Sequence, residues 1–384
     1  MLKTPSNAEK AEVWKAYRER RPIRVPLTWG VNPRILLLHP ALNPDGLDFE
    51  GYSHDPRVTL TVQARFQEYV ATELSRTCDT ETKLPEAWSF HVDNQNVYDA
   101  AYLGATVKFE RGQVPAATAV YSLEDVDDFL SRDFSKPLDN PWLRSRLAFH
   151  EQLAREAEHF SYLGRKGKVQ PFGLGFDGPL TAVASLFGAD GFLLLRAEPE
   201  KARALLLKIT RDCIVRNRAL AERAGGWKKT DWGGLADDSI QLIGAATYRE
   251  IVMPAHALWY DEMSDTRPAD RKRSIHLCGD STRHFRTLRD ELGVYSFDTG
   301  FPVNHGALRK ELGPEVEILG GPPVSVFVNG TPEQCAAAAR KILQSGVMEG
   351  GRFVLREGNN LPPAVPVENL AAVYETCLEH GRYR

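Results

Sequence analysis

The sequence predicts an α/β fold of parallel βα units, arranged either as a doubly wound sheet or as a barrel. Apolar runs of strand length recur through the second half of the chain, and charged segments of helix size separate most of them. No internal repeat, low-complexity tract or linker rich in Gly, Ser and Pro divides the chain, so one domain is the simpler organisation. Length leaves this open, since 384 residues fit two or three ordinary domains or one barrel with insertions.

From the N-terminus, residues 7–20 read as a polar helix, and Pro22 and Pro26 bracket an extended segment, 23–29, that serves as the first strand. Residues 56–74 trace part of an apolar helical face through Val58, Leu60, Val62, Phe66, Tyr69, Val70 and Leu74. Residues 105–109 alternate as a strand does, and 122–129 open with acidic positions suited to a helix N-terminus. The clearest helix is 199–223: Ala202, Leu205, Leu206, Ile209, Cys213 and Val215 lie near helical spacing, Glu198 and Glu200 stand at its start, and Gly225-Gly226 ends it. Strand-length runs follow at 239–243, 274–277, 294–297, 316–319 and 352–355.

Composition narrows the function. Lys and Arg total 48 against 51 for Asp and Glu, so no global field favours nucleic acid or an anionic membrane, and a small molecule is the expected ligand. The cysteines Cys78, Cys213, Cys278, Cys335 and Cys377 are odd in number and scattered, as expected in a reducing compartment, and the expected location is the cytoplasm. Neither an apolar leader core near the N-terminus nor an apolar run of about 20 residues is found. Dinucleotide, P-loop, nucleophile-elbow and His-Glu-x-x-His motifs are absent as well, which removes support for the mechanisms that need them.

In a parallel barrel, functional side chains stand at the C-terminal ends of strands. One such end reads Ile275-His276-Leu277-Cys278-Gly279-Asp280, and residues two apart on a strand face the same side. His276 and Cys278 therefore point together, and imidazole with thiolate suits zinc; the plainer alternative is a core histidine beside a buried thiol. Glu357 follows the last strand as a candidate acid, base or oxygen ligand, or as a helix cap or partner of Arg356. Asn359 and Asn360 beside it are substrate contacts or turn residues. His91, Asp93, Gln95 and Asn96 form a polar stretch whose groups, if buried, must bond a ligand or one another. Of Asp237 and Asp238, one is expected to face the pocket and the other to cap a helix; Asp237 is taken as the former. His256 reads as a packing residue, and His305 as one within reach of the barrel mouth.

His276-Leu277-Cys278-Gly279-Asp280 resembles the His-x-Cys-Gly element of the corrinoid and thiol methyltransferases in the uroporphyrinogen decarboxylase superfamily. Other segments agree in order: the opening helix running into Arg24-Val25-Pro26, Ala100-Ala101-Tyr102-Leu103-Gly104, Gly175-Phe176-Asp177-Gly178-Pro179-Leu180-Thr181, Ala236-Asp237-Asp238, Asn329-Gly330-Thr331-Pro332-Glu333, Pro366-Val367-Glu368-Asn369-Leu370 and Gly381-Arg382-Tyr383. The resemblance implies a (β/α)8 TIM barrel at residues 23–384 behind an N-terminal helical extension, 1–22.

Two departures bear on function. Where true decarboxylases carry an Arg-Gln-Ala-Gly-Arg-Tyr element, this chain has Thr28-Trp29-Gly30-Val31-Asn32-Pro33-Arg34, and their aspartate falls near Gln95 or Asn96 with Asp93 out of register, so porphyrinogen decarboxylation is not expected. Where the methyltransferases place a second zinc cysteine, this chain has Asn359, which leaves Glu357, Asp237 or water to complete four ligands and favours an oxygen-bearing substrate.

The resemblance thus implies a methyltransferase moving a methyl group between a methylated small molecule and a carrier, either a corrinoid on a partner protein or tetrahydrofolate. Zinc would sit at His276 and Cys278, Glu357 or Asp93 would move a proton, and His91, Gln95, Asn96, Asp237, Asn359 and Asn360 would bind substrate. The alternatives are a lyase or decarboxylase for a smaller acid, its carboxylate held by Arg34 and Arg356, and a non-catalytic barrel binding a ligand or corrinoid protein. A homodimer is compatible with each.

Overall fold

The computed structural model describes residues 4–383. Its strands are β1 (Trp88–Phe90), β2 (Thr106–Lys108), β3 (Ala116–Thr118), β4 (Gly167–Val169), β5 (Gly233–Ala236), β6 (Arg273–Leu277), β7 (Val294–Thr299), β8 (Glu317–Gly320) and β9 (Phe353–Leu355). β5 to β9 lie side by side in chain order in one parallel sheet, and β1 and β4 pair in parallel. Leu27, on the N-terminal extended segment, bridges in parallel to Leu355 of β9. That contact separates the two sequence-level options, because a first strand beside the last closes a ring, whereas a doubly wound sheet keeps its first strand inside. The order is that of a (β/α)8 barrel. Ladder bonds are missing, among the described residues, at two junctions: between the Leu27 segment and β1, and between β4 and β5.

Local chemistry accounts for the helices. Asn7–Arg18 begins with a Ser6–Glu9 capping box, and Pro56–Thr72 begins at the Asp55 cap, whose carboxylate accepts from Arg57 and Val58. Pro199–Arg223 runs its expected length from Pro199 to a stop at Gly225 and Gly226, whose φ of +133° and +119° suit glycine. The first helix lies against the N-terminal ends of the strands, where Tyr17 Oη donates to Glu317 at 2.7 Å. At the same end Arg24 forms a two-pronged ion pair with buried Asp79, which also accepts from Leu27 N and Tyr374 Oη.

Three sequence-level strands are corrected. Residues 239–243 form no strand: Asp238–Leu242 is a 3-10 turn, and the barrel strand is β5, just before it. A Cβ on Gly233 would come 2.7 Å from the Tyr260 ring, and one on Gly234 2.7 Å from Trp232, so β5 lacks the branched residues that advertise a strand. Residues 105–109 supply β2, which pairs antiparallel with β3 outside the ring. The segment 23–29 makes bridges at Arg24 and Leu27 rather than a continuous ladder; Pro26 has no N–H to contribute. β1 and β4, three residues each, were not legible in the sequence.

Candidate functional site

β6 alternates between faces: Arg273, Ile275 and Leu277 are buried against the helices, while Ser274 and His276 are half-buried toward the ring interior, and Cys278 continues that phase. His276 and Cys278 converge as their spacing requires, with Nε2 and Sγ 3.4 Å apart. The register aligns Ala236 with His276 and His276 with Asp298. Asp238, two residues beyond Ala236, thereby comes level with Cys278; its Oδ1 accepts from Cys278 N at 2.8 Å and lies 3.8 Å from His276 Nε2. The ligand atoms of Asp238, His276 and Cys278 all lie within 4.8 Å of one another.

On its other side, His276 Nδ1 bonds Asp298 Oδ2 at 2.7 Å. A carboxylate on Nδ1 leaves Nε2 as the lone-pair nitrogen of a neutral ring, the arrangement found behind metal-bound histidines. Burial alone would lower the imidazole pKa, but the bonds to Asp298 and Cys278 outweigh it and push it up to about 10, so this corner favours positive charge. One nitrogen, one sulfur and one oxygen donor suit a zinc-like divalent cation with a fourth position left for substrate or water. Among the described residues, no other cluster of three such donors occurs.

Arg356 reaches Asp298 from behind, with Nη1 2.9 Å from Oδ2. The same guanidinium bonds Glu357 at 2.7 Å and the Asn359 carbonyl at 2.8 Å. Glu357 is 0% exposed, and both its oxygens also accept from Gly30 N. Burial pushes its carboxyl up to about 7 against the pull of Arg356. Glu357 is therefore not a fourth ligand in this arrangement; it anchors Arg356. Nor is Arg356 free to hold a substrate carboxylate, as the lyase alternative requires. Asn359 takes a positive φ of +140°, and Asn360 is exposed.

Asp237 and Asp238 divide their roles as expected, with the assignment reversed. Asp237 is fully buried: its carboxylate accepts from Leu180 N and Thr181 N at the start of Pro179–Phe187, from Thr181 Oγ1 and from His256 Nε2. The strand precedes the two aspartates instead of following them, and Asp238, two residues beyond Ala236, keeps the inward phase that Asp237 lacks. His256 is the buried packing residue it was read as. His305 is buried too, its pKa lowered to about 4 by desolvation.

After β1, Asp93 accepts from Tyr52 Oη at 3.0 Å, from Gln95 N and from Gln95 Nε2. Arg34 Nε donates to Gln95 Oε1 at 2.6 Å, and its Nη2 reaches exposed Asn96 at 3.2 Å. The polar stretch thus forms a network of its own around Arg34. His91 stands outside it: its side chain is exposed, while its backbone N and O both bond Gln63.

Sequence reasoning missed Asp177, whose carboxyl takes a 2.6 Å bond from Tyr98 Oη and whose N–H bonds Asp99. Asp99 is held by Arg216 at 2.7 Å, against a burial that pushes its own carboxyl up. Burial and that neighbouring charge push Asp177 up to about 7, and Asp238 acts on it in the same direction. An acidic residue isolated in the apolar turn Gly175-Phe176-Asp177-Gly178-Pro179 was the available signal.

Comparison with known proteins gives a consistent picture. The family model described as uroporphyrinogen decarboxylase (URO-D) matches residues 97–380. A methylated-thiol–coenzyme M methyltransferase of Methanosarcina mazei is 30% identical over 210 residues, 52% of this chain and 51% of that protein. A methylcobamide:CoM methyltransferase of the same organism is 28% identical over 145 residues, 38% of this chain and 40% of that protein. The chain thus spans about half the length, or less, of the curated relatives it matches. A solved methyltransferase structure from Methanosarcina mazei superposes with a TM-score of 0.63 over 97% of this chain and 98% of the other at 16% identity, a likeness of fold.

Proposed function

Because the chain belongs to the uroporphyrinogen decarboxylase family, we propose from the geometry of its strand ends that it is a metal-assisted methyltransferase. It moves a methyl group between a methylated small molecule and a corrinoid or folate carrier, with the corrinoid borne by a partner protein. The observation that carries this reading is the convergence of Asp238, His276 and Cys278 with Asp298 behind the histidine. The names of the two Methanosarcina mazei relatives support it, and they make methylated thiols, coenzyme M and methylcobalamin the first compounds to try.

His276, Cys278 and Asp238 would hold zinc, which when bound keeps a thiol deprotonated near neutral pH or polarises an ether oxygen. Asp298 orients His276, and Arg356, anchored by Glu357, orients Asp298. Arg34, Gln95 and Asp93 bind the polar part of the substrate from the other side of the ring. With its carboxyl near 7, Asp177 can give a proton to a leaving atom when protonated, or take one from an incoming thiol when ionised. We place the enzyme in the cytoplasm and assign residues 23–384 to the barrel and 1–22 to an appended segment; no single described helix is long and apolar enough to cross a membrane.

The test is elemental analysis of the purified chain and of a His276→Ala, Cys278→Ala variant, followed by methyl-transfer assays. About one zinc per chain, lost in the variant together with turnover of a methylated thiol or methyl ether, is the expected result. A chain that turns over equally well without either side chain would overturn the proposal.

A further inference from the structure

Among the described residues, β4 and β5 share no ladder bonds, and the turn 174–177 lies beside β5 at that gap. In a laddered stretch of wall a neighbouring strand takes the backbone groups of such a segment; here side chains take them. Asn217 Nδ2 donates to the Leu174 carbonyl at 3.0 Å and to the Gly175 carbonyl at 3.2 Å, and Arg216 Nη2 donates to the same Gly175 carbonyl at 2.7 Å. Asp99 Oδ2 accepts from Asp177 N at 2.8 Å. Arg216 joins the set, since its Nη1 holds Asp99 and its Nε donates to Asn217 Oδ1 at 2.9 Å. Both members of the Arg216–Asp99 pair are buried.

The carboxyl of Asp177 is fixed by a separate contact. Tyr98 Oη donates to its Oδ1 at 2.6 Å, and the Tyr98 ring centroid lies 5.7 Å from the Arg216 guanidinium carbon. Asp177 Oδ2 has no hydrogen-bond partner among the described residues and is not itself buried. In a neutral carboxyl whose one oxygen accepts, the other carries the proton and donates it. Backbone and side chain of Asp177 are thus both held, with the proton-bearing oxygen left open.

We propose that Tyr98, Asp99 and Arg216 are positioning residues for Asp177: the Arg216–Asp99 pair holds its backbone in the gap, and Tyr98 turns its carboxyl so that Oδ2 exchanges the proton. The inference rests on the acid–base role given to Asp177 above. The charged and titratable groups that face this carboxyl are Tyr98 and Asp99 from the helix Tyr98–Tyr102, Arg216 from Pro199–Arg223, Asp238 from the turn after β5, and Arg34. Burial, Asp99 and Asp238 push its pKa up, whereas the Tyr98 bond and Arg216 pull it down. Two of the three positioning residues, Tyr98 and Asp99, therefore act in opposite directions on one proton, a signature that loss of packing alone does not produce.

Infrared titration of the full chain, taken as a difference against Asp177→Asn at fixed zinc content, reads the protonated carboxyl directly and needs no substrate. A midpoint at about pH 7 is expected in the wild-type chain. It should move up by about one unit in Tyr98→Phe and down by a similar amount in Asp99→Asn, and the pH profile of methyl transfer should move with it. Tyr98→Phe removes a single hydroxyl and serves where Asp99→Asn, which leaves buried Arg216 unpaired, does not fold. A midpoint that stays put or falls in Tyr98→Phe overturns the inference. Undiminished turnover in Asp177→Asn overturns instead the acid–base role on which it rests, and the inference with it.

Discussion

Asp298 touches His276 on one side and Arg356 on the other, and its Oδ1 is buried without a partner. Removing its charge leaves the ring's tautomer and orientation unspecified. We expect Asp298→Asn to weaken zinc binding by about 10- to 100-fold, measured by competition with a chromogenic chelator, with the thermal midpoint little changed; an unaltered affinity would sink the orienting role. Asp177 makes a pH prediction. Its folded-state carboxyl titrates at about 7, above the usual unfolded value of about 4, so the stability it contributes is complete below about pH 4 and is lost as pH rises through about 7. Relative to Asp177→Asn, the wild-type chain should lose on the order of 2 kcal/mol between pH 4.5 and 7.5 in urea unfolding. Parallel stability curves for the two proteins would contradict the shift. His276 and Cys278 were legible because strand period alone sets them on one face. Asp298 was not, because its partner lies on a neighbouring strand whose register no local pattern reveals.

At the scale of elements, β5 shows how one residue of phase exchanges two roles. Asp237 closes the N-terminus of Pro179–Phe187 and satisfies His256, whereas Asp238 turns inward. Asp237→Ala should cost about 2–4 kcal/mol, for the lost cap and the buried His256 Nε2 left without a partner, and leave metal stoichiometry intact once folded. Asp238→Ala should do the reverse, with lower metal affinity and a small change in stability; unfolding curves and zinc content on both variants decide it. The long helix 199–223 was legible end to end because its cap, apolar face and glycine stop are all local. β5 was hidden because close packing against Tyr260 and Trp232 demands glycines, and the apolar residues that suggested a strand, Ile240 and Ile243, are buried from the turn that follows it.

For the whole molecule, the ring depends on contacts far apart in sequence. Asp79 gathers Arg24, Leu27 N and Tyr374 at its carboxylate and Trp14 at its backbone carbonyl, so the first helix, first strand segment and last helix meet at one buried residue. Asp79→Ala leaves Arg24 unpaired and should cost about 3–5 kcal/mol in a denaturant titration; a loss under about 1 kcal/mol would show that the junction contributes little. No sequence pattern announced Asp79, since its role exists only once the two termini are brought together. Above this junction the same pair of edges, Leu27 with Leu355, continues to Gly30, whose N–H is held by Glu357, whose partner Arg356 holds Asp298 and so His276. The Gly30 amide is therefore a built-in reporter: its NMR chemical shift and its solvent-exchange rate should register whether the distant imidazole is occupied, so that a single resonance on the opening strand reads the state of the metal centre without any probe attached.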